Sequence, residues 1–292
     1  MLTTYHEKSC ESKLAAITND TPVAAYFNSK ALVWHAMYTH TRKDVWASIH
    51  QTRLARFLSL ADKLHLPQGT KVLEVGCGAG HTAVALAQRG YNVQATDVAQ
   101  NMIELAQKNA DAAGVADRVH ITMEDIYNLR FPSNAFGLVL SIGVIPWLSF
   151  PGPAIEELGR VIKPGGYLFF TADNRWRLAH LLDPAVSPAF GQAKKLFKRI
   201  FSRPNHSALE PPGIESYLHS LGEVDALLAQ SGLERVYHET VGFGPFTLFH
   251  RKLLPERLGV AINRALQGLL ELRVPFLQLT GAQFLILARK RG

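Results

Sequence analysis

The run Val72-Leu73-Glu74-Val75-Gly76-Cys77-Gly78-Ala79-Gly80 carries an apolar strand straight into a glycine-rich turn. Glycines there allow a ligand to approach the backbone and permit dihedral angles that a side chain forbids. Such a loop also occurs in dinucleotide sites. Glu74 sits two residues before the first glycine, where those sites usually keep an apolar residue. Asp97 closes the next strand, and a carboxylate at that point can accept both hydroxyls of a ribose. Asp125 follows the third strand, where it can accept from an exocyclic amine while Ile126 packs on an adenine ring. Ser141 and Gly143 end the fourth strand and can line the same crevice. In open sheets of this kind, ligands lie beyond the carboxyl ends of the strands, where all these residues fall.

The elements that must hold these residues are legible from periodicity. Strands are expected at Lys71–Val75, Asn92–Thr96, Val119–Met123, Gly137–Ser141 and Tyr167–Thr171. Helices are expected at His81–Arg89, Met102–Ala113 and Ile155–Ile162. Alternating helices and strands this apolar imply a parallel sheet covered on both faces. Leu54, Phe57, Leu58, Ala61 and Leu64 recur at helical spacing in the otherwise helical stretch 21–65. Beyond Ala172 a helix is expected over Ser216–Ser231, with strands at Arg235–Val241 and Gln283–Ala288. Leu258, Ile262, Ala265, Leu266, Leu269 and Leu270 mark an amphipathic helix between those strands.

Residues 72–172 resemble the core of the Rossmann-like, class I S-adenosylmethionine-dependent methyltransferases, the broad group similar to ubiquinone and menaquinone methyltransferases. Glu74 with Gly76, Gly78 and Gly80 matches the first motif, Asp97 the ribose acid and Asp125-Ile126 the adenine pair. Val161-Ile162-Lys163-Pro164-Gly165-Gly166 matches the late turn before strand five. The resemblance implies an α/β fold. Its centre is a seven-stranded, mostly parallel sheet with helices on both faces, under an N-terminal helical cap and with helical insertions in the C-terminal third. It implies three regions: a cap over 1–65, a cofactor-binding core over 66–172, and acceptor-side insertions completing the sheet over 173–292. It implies S-adenosyl-L-methionine as cofactor. Glu74, Gly76, Cys77, Gly78, Gly80, Asp97, Val98, Met102, Asp125, Ile126, Ser141 and Gly143 are its candidate contacts.

The acceptor side is less specified. Candidate bases are His35, His40, His81 and His180, each more readily read as structural or solvent-exposed. Tyr38, Trp147, Asn174, Trp176 and Arg177 are candidates for facing the acceptor. Trp147 reads equally as a core tryptophan, residues 174–177 as a surface turn. Tyr26, Phe27, Trp34 and Tyr38 form a helical stripe that fits either a lid or a core face.

Composition limits the alternatives. The chain has 292 residues, 47% of them hydrophobic, which is enough for a sizeable core. Two cysteines exclude a disulfide scaffold and a four-thiolate zinc site. No pair of histidines has metalloprotease spacing, and no metal is expected. The uncharged stretch 131–155 is broken by prolines and glycines, so it is not a membrane span. No apolar signal core follows Met1, which makes the cytoplasm the expected location.

The formal charge is +7, and residues 173–292 hold nearly all the excess. Within them, Lys194–Arg203 carries five bases and no acid. That segment fits a peripheral contact with an anionic membrane, an active-site lid or a solvated helix. No RNA-binding module is recognisable, and Ile145-Pro146-Trp147 stands where amino-directed enzymes carry an Asp/Asn-Pro-Pro-Tyr/Phe loop. The capping parts are rich in Leu, Phe and Ile, notably over Leu248–Leu279, so the expected acceptor is a small, amphipathic or lipid-like molecule. The resemblance implies methylation on oxygen, at a fatty-acid carboxyl or a hydroxyl. A quinone precursor methylated on carbon, or a sugar methylated on oxygen or nitrogen, is the alternative. An RNA acceptor or a non-catalytic cofactor-binding subunit comes after these.

Overall fold

The computed structural model describes residues 22–39, 41–187, 216–249, 251–272 and 274–292. Two helices open it: α1 (Pro22–Tyr38) and α2 (Val45–Lys63). They are separate because Asp44 caps α2, its side chain accepting from the Ala47 N–H at 2.8 Å. There follow β1 (Lys71–Val75), α3 (His81–Ala87), β2 (Asn92–Asp97), α4 (Gln100–Ala112), β3 (Val119–Met123) and β4 (Phe136–Ser141). A short 3₁₀ turn spans Ile145–Trp147. Then come α5 (Pro151–Val161), β5 (Ile162–Asn174) and α6 (Leu178–Leu182). The chain closes with β6 (Leu218–His219), α7 (Leu221–Gln230), β7 (Leu233–Val241), β8 (Thr247–Leu248), β9 (Arg251–Lys252), α8 (Glu256–Glu271), α9 (Pro275–Thr280) and β10 (Gln283–Lys290).

The main sheet runs β3-β2-β1-β4-β5-β10-β7, with β6 added beside the end of β5. The pairs β3/β2, β2/β1, β1/β4 and β4/β5 are parallel. Only β10 runs against its neighbours, pairing antiparallel with both β5 and β7. The strand order reverses between β1 and β4, which opens a crevice at their carboxyl ends.

Both sheet faces are buried, so alternate residues of one strand serve two cores. Val139, Phe170 and Ile286 pack with Ile155, Leu158, Val224 and Leu228 on the α5–α7 side. Leu138, Leu140, Phe169 and Leu285 pack with Phe57, Ala61, Leu86 and Ala106 on the α2–α4 side. The rings of Phe57 and Phe169 lie 4.6 Å apart, both fully buried.

Several boundaries differ from the sequence reading. Helix α5 starts four residues early, because Pro151 and Pro153 fall in its first turn, where a missing N–H costs nothing. The helix expected from Ser216 starts at Leu221. Ser220 and Glu223 form a capping box there, and Leu218–His219 pair with Asp173–Asn174 instead. The small β8–β9 hairpin and α9 carry no clear periodic signal and were not expected. The leucine-marked helix α8 is present, but its apolar residues are divided: Ile262, Leu266 and Leu270 are half-buried and the others face outward. Gly259, Asn263 and Gln267 are buried, while Leu258 and Leu269 are exposed. The Lys194–Arg203 segment and His40 lie outside the described residues. No helix among the described residues is long and apolar enough to cross a membrane.

Truncating Phe57 to Ala removes a ring that joins α2 to the sheet. Urea unfolding is expected to show a loss of about 3–5 kcal/mol. A loss below about 1 kcal/mol would mean that α2 contributes little to the core.

Candidate functional site

The glycine loop is drawn against the second strand. The N–H groups of Gly76 and Cys77 both donate to the Thr96 carbonyl at 2.8 Å. Gly80 has φ +76°, and a Cβ there would meet the Ala106 Cβ at 2.9 Å, so this glycine lets α4 close on the loop. Gly78 has φ +53°, and a Cβ there would meet nothing within 4 Å. Its bare backbone therefore faces open space at the crevice.

The Asp97 carboxylate joins two elements. It accepts from the Gly78 N–H at 2.8 Å and from the Ala99 N–H, at the start of α4, at 2.9 Å. Burial raises its pKa, and the amides of Ala99, Gly78 and Val98 pull it back. Glu74 is fully enclosed, and burial raises its pKa to about 8, against the opposing pull of the Thr82 hydroxyl and Ala83 amide. Glu74 Oε2 and Ser141 Oγ are buried without a partner. Buried polar atoms are normally satisfied, so both call for a polar ligand. Asp125 accepts from the Tyr127 N–H at 2.9 Å, and burial raises its pKa. Ile126 is buried in the α5-side core. The Gly143 N–H donates to Thr171 Oγ1 at 2.7 Å. Cys77 is buried and its thiol pushed well up by burial, which leaves it a space-filling group. Two unpartnered polar oxygens, an open glycine backbone and carboxylates at successive strand ends suit a ligand with cationic, hydroxyl and amine groups. S-Adenosylmethionine presents that set.

Helix α1 lies across this end of the sheet. Met102, one turn into α4, packs with Ala31, Phe27 and Trp34. Trp147 faces Phe27 edge-on at 5.7 Å and Tyr26 at 6.3 Å. His81 stacks on His35 at 4.9 Å and on Tyr38 at 5.1 Å, and its Nε2 lies 3.1 Å from His35 Nδ1. Burial, then the nearby His35, lowers the His81 pKa to about 4. The aromatic stripe is thus part of a cover that also packs inward; the two readings of it are not exclusive.

The remaining candidates separate. Asn174 is buried, its amide donating to the carbonyls of Leu279 and Gly281 at 2.8 and 2.9 Å, so it ties β5 to the turn before β10. Trp176 is 45% exposed. Arg177 lies 3.8 Å from Asp173 and has a buried, unpartnered Nε. His180 sits in α6, outside the group formed by His35, Tyr38 and His81.

Two groups escaped the sequence reading: Arg53 and His50 of α2. Arg53 is 4% exposed. Its Nη1 donates to Gln283 Oε1 at 3.1 Å and its Nη2 to the Tyr38 hydroxyl. Its Nε has no partner. A Cβ on Gly143 would stand 3.1 Å from Nη1, which puts the guanidinium over the end of β4. Gln283 passes the contact to Asp173 at 2.8 Å, but no carboxylate among the described residues pairs with Arg53 itself. His50 is packed among Trp34, Tyr38 and Trp46. Burial, then the Arg53 charge, lowers its pKa to about 3, so at neutral pH its Nδ1–H donates to the Trp46 carbonyl at 2.8 Å. The signal was available: His50, Arg53 and Phe57 follow helical spacing, so one buried ring implies two buried polar groups. A shallow cavity of about 490 Å³ lined by Thr70, Gly137 and Lys163–Tyr167 lies at the opposite end of the strands.

Residues 73–170 match the family described as methyltransferase domain. The tRNA 5-carboxymethoxyuridine methyltransferase of Escherichia coli K12 is 35% identical over 106 residues, 35% of this chain and 40% of that protein. The ubiquinone biosynthesis O-methyltransferase of Bordetella avium is 26% identical over 203 residues, 68% of this chain and 76% of that one. The chain thus spans about 40% of the length of the first curated relatives it matches. Among solved structures, magnesium protoporphyrin IX methyltransferase from Synechocystis PCC 6803 with bound SAH aligns with TM-score 0.60 and 16% identity, over 92% of this chain and 98% of that one. The [4+2]-cyclase SpnF aligns with TM-score 0.58 and 18% identity, over 92% and 95%. At these identities the likeness concerns the fold.

The Glu74 shift makes a signed prediction for the ligand-free chain. Its folded pKa of about 8 exceeds the ordinary 4.5. Its contribution to stability is therefore complete below about pH 4.5 and is lost as pH rises through about 8. Across that window the stability of wild type is expected to fall more steeply than that of Glu74→Gln in urea titrations. Parallel curves would mean that Glu74 is ionised throughout.

Proposed function

We propose that this chain, whose residues 73–170 match a methyltransferase domain, is a class I methyltransferase that uses S-adenosylmethionine to methylate an oxygen of a small amphipathic acid. The single observation that carries the acceptor class is Arg53: a buried guanidinium without a carboxylate partner among the described residues, lying over Gly143. An uncompensated buried charge is costly, and an acceptor carboxylate would offset it with charge-assisted hydrogen bonds. The matched E. coli relative is named for tRNA 5-carboxymethoxyuridine, a carboxyl-bearing group carried on RNA rather than on a small molecule.

Bound S-adenosylmethionine supplies an electrophilic methyl group on a sulfonium. The chain's own residues bind, orient and exclude water. Asp97 would take the ribose hydroxyls, Asp125 the adenine amine, and Glu74 with Ser141 the methionine portion, near Gly76 and Gly78. Val98 and Met102 would flank the nucleoside. The cover made by Tyr26, Phe27, Trp34, Tyr38 and Trp147 shields the reacting centre, and in-line approach in a dry site supplies much of the rate. His50 and His81 are held neutral with low basicity, so neither is suited to deprotonating a hydroxyl. A carboxylate acceptor needs no base. That agreement is why the acid is favoured over a phenol or sugar hydroxyl.

Asp97→Ala is expected to weaken S-adenosylmethionine binding by about 1.5–3 kcal/mol in calorimetry, with the fold retained. Unchanged affinity removes Asp97 from the ribose. For the acceptor, a panel of fatty and aromatic acids is to be assayed with methyl-labelled cofactor. Arg53→Leu should raise the acid's KM by about tenfold or more while cofactor Kd changes little. A loss confined to cofactor affinity would assign Arg53 to the cofactor's own carboxylate. Label entering RNA, lost steeply with salt, would overturn the small-acid reading.

A further inference from the structure

Helix α8 buries the wrong face for an ordinary amphipathic helix. Asn263 accepts from the Phe243 N–H at 2.7 Å and donates to Ser48 Oγ at 3.1 Å. Gln267 accepts from the Gly242 N–H at 3.0 Å. These bonds satisfy backbone at the turn after β7 and fix the rotation of the helix about its axis. The opposite side is then forced outward. Positions 258, 261, 265, 269 and 272 follow one another at helical spacing as Leu, Ala, Ala, Leu and Leu. Leu272 is 72% exposed, and the adjoining Phe276 and Leu279 of α9 are 57% and 53% exposed. Eight of the fifteen large exposed hydrophobics among the described residues lie between 248 and 279. A clustered apolar surface of this kind marks an interaction site.

Charge decides the occupant. Arg257 and Arg264, seven residues apart, form a ridge along one edge of the stripe. Both are exposed, and neither makes an ion pair among the described residues. Glu271, next on that ridge, is occupied by Arg56 at 2.9 Å. Glu256 is occupied by Lys252. Both acids of the stripe are thus paired with bases, and among the described residues its two unpaired charges are the cations Arg257 and Arg264. A second copy of the same surface would bring no acid to those arginines, whereas lipid head groups would.

We propose that the α8–α9 face seats this protein on an anionic phospholipid surface. Leu258, Leu269, Leu272 and Phe276 enter the acyl boundary, with Arg257 and Arg264 at the phosphates. None of these residues belongs to the Lys194–Arg203 segment, which the basic run alone singled out. It is also independent of the acceptor assignment, although Asn263 and Ser48 join it to α2, the helix that carries Arg53.

The test is flotation of the full chain with vesicles of phosphatidylcholine alone and of phosphatidylcholine with phosphatidylglycerol. Binding is expected only with the anionic vesicles and should weaken as salt rises. Leu269→Gln/Leu272→Gln/Phe276→Gln should weaken it by about tenfold or more, and so should Arg257→Gln/Arg264→Gln. Each variant should retain wild-type circular dichroism, since all these side chains are exposed. Three results overturn the proposal. One is no wild-type binding to either vesicle. Another is binding by both variants as tight as that of the wild type. The third is a dimer in sedimentation that the leucine and phenylalanine substitutions dissociate.

Discussion

One carboxylate holds the working end of this molecule together. Asp97 accepts from the Gly78 N–H and the Ala99 N–H at once. It therefore fixes the glycine loop against the start of α4. Everything that covers the site is referred to those two points. The loop leads into His81, which meets His35 and Tyr38 of α1. The start of α4 supplies Asn101, whose N–H donates to Asn28 Oδ1 at 2.9 Å, and Met102, which packs under Phe27 and Trp34. The cover thus rests on the two elements that Asp97 joins. A carboxylate already holding two amides is rigid, and a rigid acceptor pair is what a ribose diol requires.

The sheet explains why polar chemistry is confined to one edge. Its strands are buried on both faces, so an unpaired polar side chain within them would be costly. Glu74 in β1 is one exception inside a strand and Glu239 in β7 another, and burial raises the pKa of each accordingly. At the carboxyl ends the constraint relaxes, and the reversal of strand order between β1 and β4 leaves room. Arg53 enters that space from α2, carried there by the packing of Phe57 against Phe169. An apolar contact one turn away holds a charge where it would not settle unaided. The same burial and the charge of Arg53 keep His50 neutral.

The outer surface obeys a different balance. In α8, two amide side chains bond to the backbone near Gly242 and Phe243. Leaving those buried N–H groups unpaired would cost about 1–3 kcal/mol each. Polar satisfaction thus overrides hydrophobic patterning and leaves an apolar stripe facing outward.

The sequence by itself determined the local chemistry. The order of strands and helices from Lys71 to Thr171, the turn at Gly76–Gly80 and the acids at strand ends all follow from short-range periodicity and from glycine's freedom, whereas Lys163–Gly166, expected as a turn, is carried within β5 as a shift of register against β4. Those features are encoded within a few residues, so they survive without knowledge of the fold. Tertiary structure decided what depends on distant partners. Which face of α8 points inward was set by Gly242 and Phe243, some twenty residues away. Asn174 was tied by carbonyls of Leu279 and Gly281. The surroundings of Arg53 were set by β10, which brings Gln283 to it, and by β4, which brings Gly143 beneath it. Periodicity reports that a residue is buried; only the assembled fold reports which groups it is buried with, and that decides whether a charge is paired or left for a ligand.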